Sequence, residues 1–332
     1  MIIPFFIPHA GCPHQCVFCN QKRITGREKP VDPGMISETI RSYLAVNKKR
    51  DQAAEVAFFG GTFTALPPEL QKIYLDEVAP FIAAGSISGI RISTRPDAIN
   101  PEVLALLKKG RVATVELGVQ SLDDEVLRSS GRGHTAEDSV AATQLLNQHR
   151  FSVGFQLMPG LPADSIDRFR LTISRTLELK PDFVRLYPAL VIKDTALEQL
   201  FRGGRYAPLR LEEAVSWCKE AFGAFRDAGI PVIRAGLQST GELESPGTIL
   251  AGPYHPAFRQ MVESALLLDA MLQAMETAAP GNAVVFRVNP RDISTAVGQN
   301  RCNITALKLR FGLNNVSFMT DRLVRRGAVM CA

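Results

Sequence analysis

The sequence of 332 residues holds no apolar run of about 18 residues, so nothing in it reads as a membrane-spanning helix. Its first residues, MIIPFFIP, carry no basic leader and are soon followed by His and Cys. That pattern is unlike a secretory signal peptide and points to the cytoplasm. There is no low-complexity tract, and no internal repeat beyond a strand–helix alternation. Cysteine is scarce, six in all, and in a cytosolic chain these are not expected to pair as disulfides. What is present is the balance of a globular protein with a substantial core, 46% hydrophobic and 21% charged. The length suits one large domain with an appendage, or two ordinary domains.

Short apolar or β-branched runs recur: MIIPFFIP, EVAFFGG, ISGIRIST, VATVELGVQ, FSVGFQLMPG, DFVRLYPALV and PVIRAGLQ. Amphipathic stretches lie between them. In NPEVLALLKKG, Val103, Leu104, Leu106 and Leu107 mark one helical face and Gly110 supplies the stop. Strand then helix, repeated six or more times, implies an α/β fold on a parallel sheet. The repeat either closes as a barrel or stays open as a doubly wound sheet, and in both cases functional groups gather at the carboxyl ends of the strands. After residue 240 the pattern changes to a Gly/Pro-rich loop, a helical stretch from Phe258 to Met275, the strand AVVFRV and a basic tail. The division expected is 1–240 and 241–332.

Three cysteines, Cys12, Cys16 and Cys19, fall in one loop past the first strand, while Cys218, Cys302 and Cys331 are scattered. Three thiolates so close can each grip one corner of a cubic iron–sulfur cluster, leaving a fourth iron without a protein ligand. A structural zinc with His9 or His14 as fourth ligand is the competing reading. Gly60-Gly61-Thr62 follows the second strand, where bare backbone lets a ligand approach closely. Ser93, Gln120, Arg132 and Gln156 fall at later strand ends or in their loops, and Arg132 suits a carboxylate because its guanidinium is a permanently charged fork. Glu116 is a candidate acid of the barrel lumen.

The run CPHQCVFCN, with Phe18 just before the last cysteine, resembles the signature of the radical S-adenosylmethionine superfamily. The resemblance implies a partial (βα)6 TIM-type barrel with a small C-terminal α/β module behind it. It also implies a 4Fe-4S cluster on Cys12, Cys16 and Cys19 whose open iron chelates S-adenosylmethionine. An electron, from a donor such as a flavodoxin or ferredoxin, would then cleave the carbon–sulfur bond to give methionine and a 5′-deoxyadenosyl radical. Gly60, Gly61 and Thr62 match the family's motif for the methionine amino group. Ser93 sits where related enzymes place a polar group near the cofactor. In the oxygen-independent coproporphyrinogen oxidase branch, positions matching Gln120, Arg132 and Gln156 hold the cofactor's ribose and carboxylate; that branch has Asp where this chain has Gln156.

ELGVQSLDDEVLRSSGRGHT and RLYPALVIKDTALEQLFRGGRY, the latter with Tyr187 and Lys193, resemble the radical domain of Elongator catalytic subunits, which begin carboxymethylation of wobble uridine in transfer RNA. Elongator enzymes have a wider first cysteine spacing and an acetyltransferase domain, of which no acetyl-coenzyme A loop is found here. The net charge of +5 is uneven. From Gly281 to Ala332, Arg287, Arg291, Arg301, Lys308, Arg310, Arg322, Arg325 and Arg326 face only Asp292 and Asp321. The segment is therefore about +6 and the remainder about −1, an asymmetry that suits an anionic partner such as transfer RNA. His255, in a Pro-flanked loop, is readable as an acid–base group or as structural; Cys302 is readable as a hydrogen donor. The leading expectation is a radical enzyme acting on a transfer RNA base. A porphyrin or other small-molecule substrate, and a non-enzymatic metal-stabilised nucleic-acid-binding module, are the alternatives.

Overall fold

A computed structural model describes residues 1–46, 54–277 and 281–331. The seven apolar runs form strands β1 (Ile2–Phe6), β2 (Ala54–Phe59), β3 (Ile87–Thr94), β4 (Val112–Gln120), β5 (Ser152–Leu157) and β6 (Phe183–Leu186), then, after a short β7 (Val191–Ile192), β8 (Val232–Ala235). Pro188 interrupts DFVRLYPALV, because proline has no N–H to continue the ladder, and so splits off β7. All pairings in the main sheet are parallel, in the order β1-β2-β3-β4-β5-β6-β8. The end strands do not pair with each other among the described residues, so the sheet curls into a half-barrel with an open side. Pro4 is tolerated because β1 is an edge strand.

The connections carry α1 (Gln21–Thr25), α2 (Ile36–Val46), α3 (Pro68–Ala83), α4 (Pro101–Lys109), α5 (Asp124–Ser129), α6 (Ala136–Gln148), α7 (Ile166–Leu179), α8 (Ala196–Arg202) and α9 (Leu211–Asp227). α4 begins at Asn100, whose side chain accepts from Val103 N, and it buries Leu104 and Leu107 completely. Gly110 closes it by donating to Leu106 O, and the left-handed turn falls on Arg111. The main core is largely aliphatic around an aromatic knot. Phe58 lies 5.7 Å from Phe5, 5.3 Å from Phe63 and 5.4 Å from Tyr74, ring centre to ring centre. Truncating Phe58, which is fully buried, would cost about 3–5 kcal/mol.

Beyond the barrel come β9 (Ile249–Ala251), antiparallel to β7, and α10 (Phe258–Thr277). The helix serves two cores. Phe258 and Val262 pack into the barrel core, whereas Leu267, Met271 and Met275 pack into a second one. The spacing lengthens between Val262 and Leu267, which rotates the buried stripe from one core to the other. The second core is roofed by β10 (Ala283–Val288), α11 (Ile293–Val297), α12 (Cys302–Phe311), β11 (Asn315–Thr320) and β12 (Val329–Cys331). Its sheet has the order β11-β10-β12, with β10 parallel to β11 and antiparallel to β12. No helix of the described residues is long and apolar enough to cross a membrane.

Candidate active site

The three clustered cysteines occupy the loop between β1 and α1, at the carboxyl end of the edge strand. Backbone bonds tie this loop to distant parts of the barrel. Val17 N donates to Ser130 O at 3.1 Å, and Val17 O accepts from Leu197 N at 2.7 Å. Cys16 and Phe18 are buried in a cluster with Val126, Leu161, Leu197 and Tyr206. The residues just past the triad also take part. Gln21 Oε1 accepts from both His9 N and Gly61 N, each at 2.7 Å, and so staples the cysteine loop to the turn after β2. His9 is committed to the same staple, its Nε2 accepting from Gln21 N at 3.0 Å.

That turn is Gly60-Gly61-Thr62. Both glycines have positive φ, 76° and 60°. A Cβ on Gly61 would lie 2.3 Å from Ala10 O and 2.5 Å from Ile7 O, so only glycine lets the two loops touch. Thr62 is buried with its Oγ1 3.4 Å from Cys12 Sγ. All three clustered cysteines are free thiols, and among the described residues no group of three His, Cys, Asp or Glu surrounds a single metal position. The thiols do act on one another. Burial first, then the neighbouring Cys16 and Cys12, pushes the Cys19 thiol up to about 12. The Cys12 thiol is raised chiefly by burial, against a hydrogen bond from Thr62.

Arg132 is the cation of this site. Its Nη1 donates to Cys16 Sγ at 3.1 Å and its Nη2 to Gly118 O at 2.5 Å. Its Nε is buried without a partner. Arg95 lies against it, donating to Arg132 O and, through a bidentate pair at 2.9 Å, to Asp97; its Nη1 is likewise buried and unpartnered. A Cβ on Gly118 would come within 3.1 Å of Gln120 Nε2 and 3.2 Å of Arg132 Nη2. Burial, then the charges of Arg132 and Arg95, lowers His134 to about 3, so its imidazole is neutral while it hydrogen-bonds Val119 O.

At the end of β4 the register with β5 shifts between Leu117 and Gln120, a bulge that leaves Gln120 at φ 68°. The bulge brings Gln120 Oε1 to 3.3 Å from Gln156 Nε2. Ser93 stands opposite Glu116 in the β3–β4 register, and its side chain makes no hydrogen bond among the described residues. Glu116 is buried and bound on two sides, by Arg91 Nη1 at 2.8 Å and Arg185 Nη2 at 2.9 Å. Arg91 continues to Glu55, and Arg185 to the Tyr187 hydroxyl at 3.2 Å. This ion chain runs across the sheet from β2 to β6, so Glu116 is a paired charge and not a free acid.

The structure thus joins Cys12 with Thr62, Cys16 with Arg132, and Gln120 with Gln156. The remaining candidates lie elsewhere. His255 lies in the loop before α10, where its Nδ1 accepts from Ala257 N at 3.0 Å, a local bond that favours the structural of its two readings. Lys193 is exposed beside α1, its carbonyl accepting from Asn20. Cys302 is exposed at the start of α12, and Cys218 is a fully buried core residue. Sequence reasoning missed Gln21, Arg95 and His134. The only signal for Gln21 was its place just past the triad; Arg95 follows β3 directly and His134 sits in the run ELGVQSLDDEVLRSSGRGHT, neither with any spacing that marks it.

Comparison with known proteins identifies the family. Residues 6–175 match the model of the Radical SAM superfamily, and residues 181–267 match that of the Radical_SAM C-terminal domain. The tRNA uridine(34) acetyltransferase of Methanocaldococcus jannaschii is 30% identical over 244 residues, 61% of this chain and 45% of that protein. The Elongator complex protein 3 of Bos taurus is 26% identical over 287 residues, 70% of this chain and 52% of its own. This chain therefore spans about half the length of the curated relatives it matches. The solved structure of archaeal Methanocaldococcus infernus Elp3, with an N-terminal deletion, superposes with a TM-score of 0.61 at 25% identity, covering 83% of this chain and 62% of that one. Coproporphyrinogen III oxidase of Escherichia coli, at 18% identity and a TM-score of 0.50, shares the fold over 69% of this chain and 53% of its own.

Proposed function

This chain belongs to the Radical SAM superfamily of enzymes, and from that premise we propose that it holds a 4Fe-4S cluster on Cys12, Cys16 and Cys19, binds S-adenosylmethionine beside it, and modifies a uridine of transfer RNA. The observation that carries the proposal is the convergence of the thiol loop, the Gly60-Gly61-Thr62 turn and Arg132 at neighbouring strand ends, in a chain 30% identical to a transfer RNA uridine enzyme. When bound, cluster and S-adenosylmethionine together supply one-electron cleavage of a carbon–sulfur bond.

The residues present fit that pair. Arg132 Nε and Arg95 Nη1 are buried donors without acceptors, and leaving such a donor unmade costs about 1–3 kcal/mol each. A carboxylate such as that of methionine would supply the acceptor they lack, and Gly118 lets Arg132 and Gln120 pack against its bare backbone. The exposed backbone of Gly60 and Gly61 suits the amino group, and Gln120, Gln156 and Ser93 suit the ribose. Arg132, donating to Cys16, also holds a positive charge against a ligand sulfur. Residues 1–240 are then the radical domain and 241–332 the module that meets RNA, in a cytoplasmic enzyme reduced by a flavodoxin or ferredoxin. The acetyl transfer named for the archaeal relative is outside the proposal, because the match covers only 45% of that protein.

Anaerobically reconstituted protein should be brown, with broad absorption near about 400 nm, and should release methionine and 5′-deoxyadenosine from S-adenosylmethionine. Transfer RNA from cells lacking the chain should lose one modified uridine in its nucleoside profile. A colourless zinc protein, or identical profiles with and without the chain, overturns the reading.

A further inference from the structure

The basic tail is a folded surface whose arginines have been left free by the way its two acids are used. Asp292, 3% exposed, sits where β10 turns into α11. It binds Arg326 through Oδ1 at 2.9 Å and Gly327 N through Oδ2 at 2.7 Å. Asn289 Nδ2 adds a bond to Val324 O at 2.9 Å. Together these bonds pin the loop between β11 and β12 onto the β10–α11 junction. The other acid, Asp321, turns its Oδ1 to Leu323 N within the same loop. Arg291, Arg322 and Arg325 are consequently gathered at one end of the module, exposed and without an ionic partner among the described residues. Leu323, 92% exposed, stands between them.

A second feature lies on the same module. β10, α11, the turn Gly298-Gln299-Asn300-Arg301, α12 and β11 follow in order, with β10 and β11 parallel. KH modules place a Gly-x-x-Gly turn between two helices and use it to clamp about four nucleotides of backbone. Here the final glycine of that pattern is replaced by Arg301, which is exposed. The helix–turn–helix can thus present a charge where a KH module presents bare backbone.

We propose that Arg291 at the β10–α11 junction and Arg322 and Arg325 on the loop pinned to it bind the sugar–phosphate backbone of RNA, with Arg301 on the turn after α11 as a further contact. The inference rests on the transfer RNA reading above and names the surface by which the substrate is held. Charge complementarity is the argument: the segment 281–332, about +6, commits both of its carboxylates internally and so presents its field to a polyanion. Binding there is read by shape and phosphate, so it is tolerant of base sequence.

The test uses the full-length, cluster-loaded protein and unfractionated transfer RNA, with fluorescence anisotropy across a potassium chloride series. The triple variant Arg291→Ala/Arg322→Ala/Arg325→Ala should bind at least about tenfold more weakly, and its log–log salt slope should fall by about 2–3. Arg326 is left in place because it holds Asp292. The matching Arg→Lys triple should recover most of the affinity, since a phosphate needs the charge more than the fork. Arg301→Ala should add a further loss, and Arg226→Ala on the outer face of α9 should do nothing. Cleavage of S-adenosylmethionine without RNA should be the same in every variant, and an unchanged thermal unfolding curve reports correct folding of the module. If the wild type binds transfer RNA and the Ala triple binds it equally with an unchanged slope, the surface is wrong and the transfer RNA reading survives. If the wild type shows no salt-sensitive binding at all, both fall.

Discussion

Arginine does opposite work in the two halves of this molecule. In the barrel, Arg91, Arg95, Arg132 and Arg185 are buried or nearly so, and each is fixed by carboxylates, carbonyls or a sulfur. In the C-terminal module Arg291, Arg301, Arg322 and Arg325 are exposed and carry no ionic partner among the described residues. A buried guanidinium costs several kcal/mol to desolvate, and it persists only where geometry supplies acceptors. It is therefore an orienting device, acting at hydrogen-bond distance. An exposed one is hydrated, mobile and felt over about a Debye length of 10 Å, which suits attraction of a polyanion but fixes nothing. The difference matches the two proposed roles, a site for a small charged cofactor and a surface for a polyanion.

The widest separation of the two halves should come from Cys16→Ser. Loss of a ligand should lower iron content and S-adenosylmethionine cleavage by more than about a hundredfold, beyond the usual cost of disturbing a ligand's support. Affinity for transfer RNA should stay within about twofold, since the module folds on its own core. A parallel loss of RNA binding would break the division into two functions.

Arg132→Lys sharpens the contrast at intermediate size. Lysine keeps the charge but not the planar fork that reaches Cys16 and Gly118 together. KM for S-adenosylmethionine should rise about tenfold, whereas Arg→Lys in the module is nearly silent. Equal tolerance of lysine in both places would show that Arg132 contributes only charge.

The smallest effect is on stability against pH. His134 titrates near 6.5 unfolded and about 3 folded, so between these values the unfolded chain binds more protons. Its stabilisation is complete above pH 6.5 and declines as pH falls, by up to about 1.4 kcal/mol per unit. Denaturation of His134→Asn, whose amide still donates to Val119 O, should show a shallower acid slope than wild type between pH 7.5 and about 5.5. Identical slopes would mean that neither burial nor the nearby arginines depress the imidazole.

Much of the barrel was legible in the chain, because parallel strands buried on both faces read as short apolar runs and each run became a strand. The cysteine triad and Gly60-Gly61-Thr62 were legible for a different reason: their chemistry depends on neighbours in sequence. Arg95 was invisible, since it acts by lying against Arg132, 37 positions away. Glu116 was visible as a lumen acid, but its two guanidinium partners come from β3 and β6. The C-terminal charge excess was countable. Which of its arginines are free was not, because that depends on Asp292 capturing Arg326 across the module.

The sequence by itself therefore determined the cysteine loop, the alternation that builds the half-barrel and the excess of positive charge at the C-terminal end, all properties of residues close along the chain. Only the tertiary structure decided which charges are spent and which remain. Pairing a buried charge requires acceptors at about 3 Å, and here the chain brings them from strands and loops far apart in sequence.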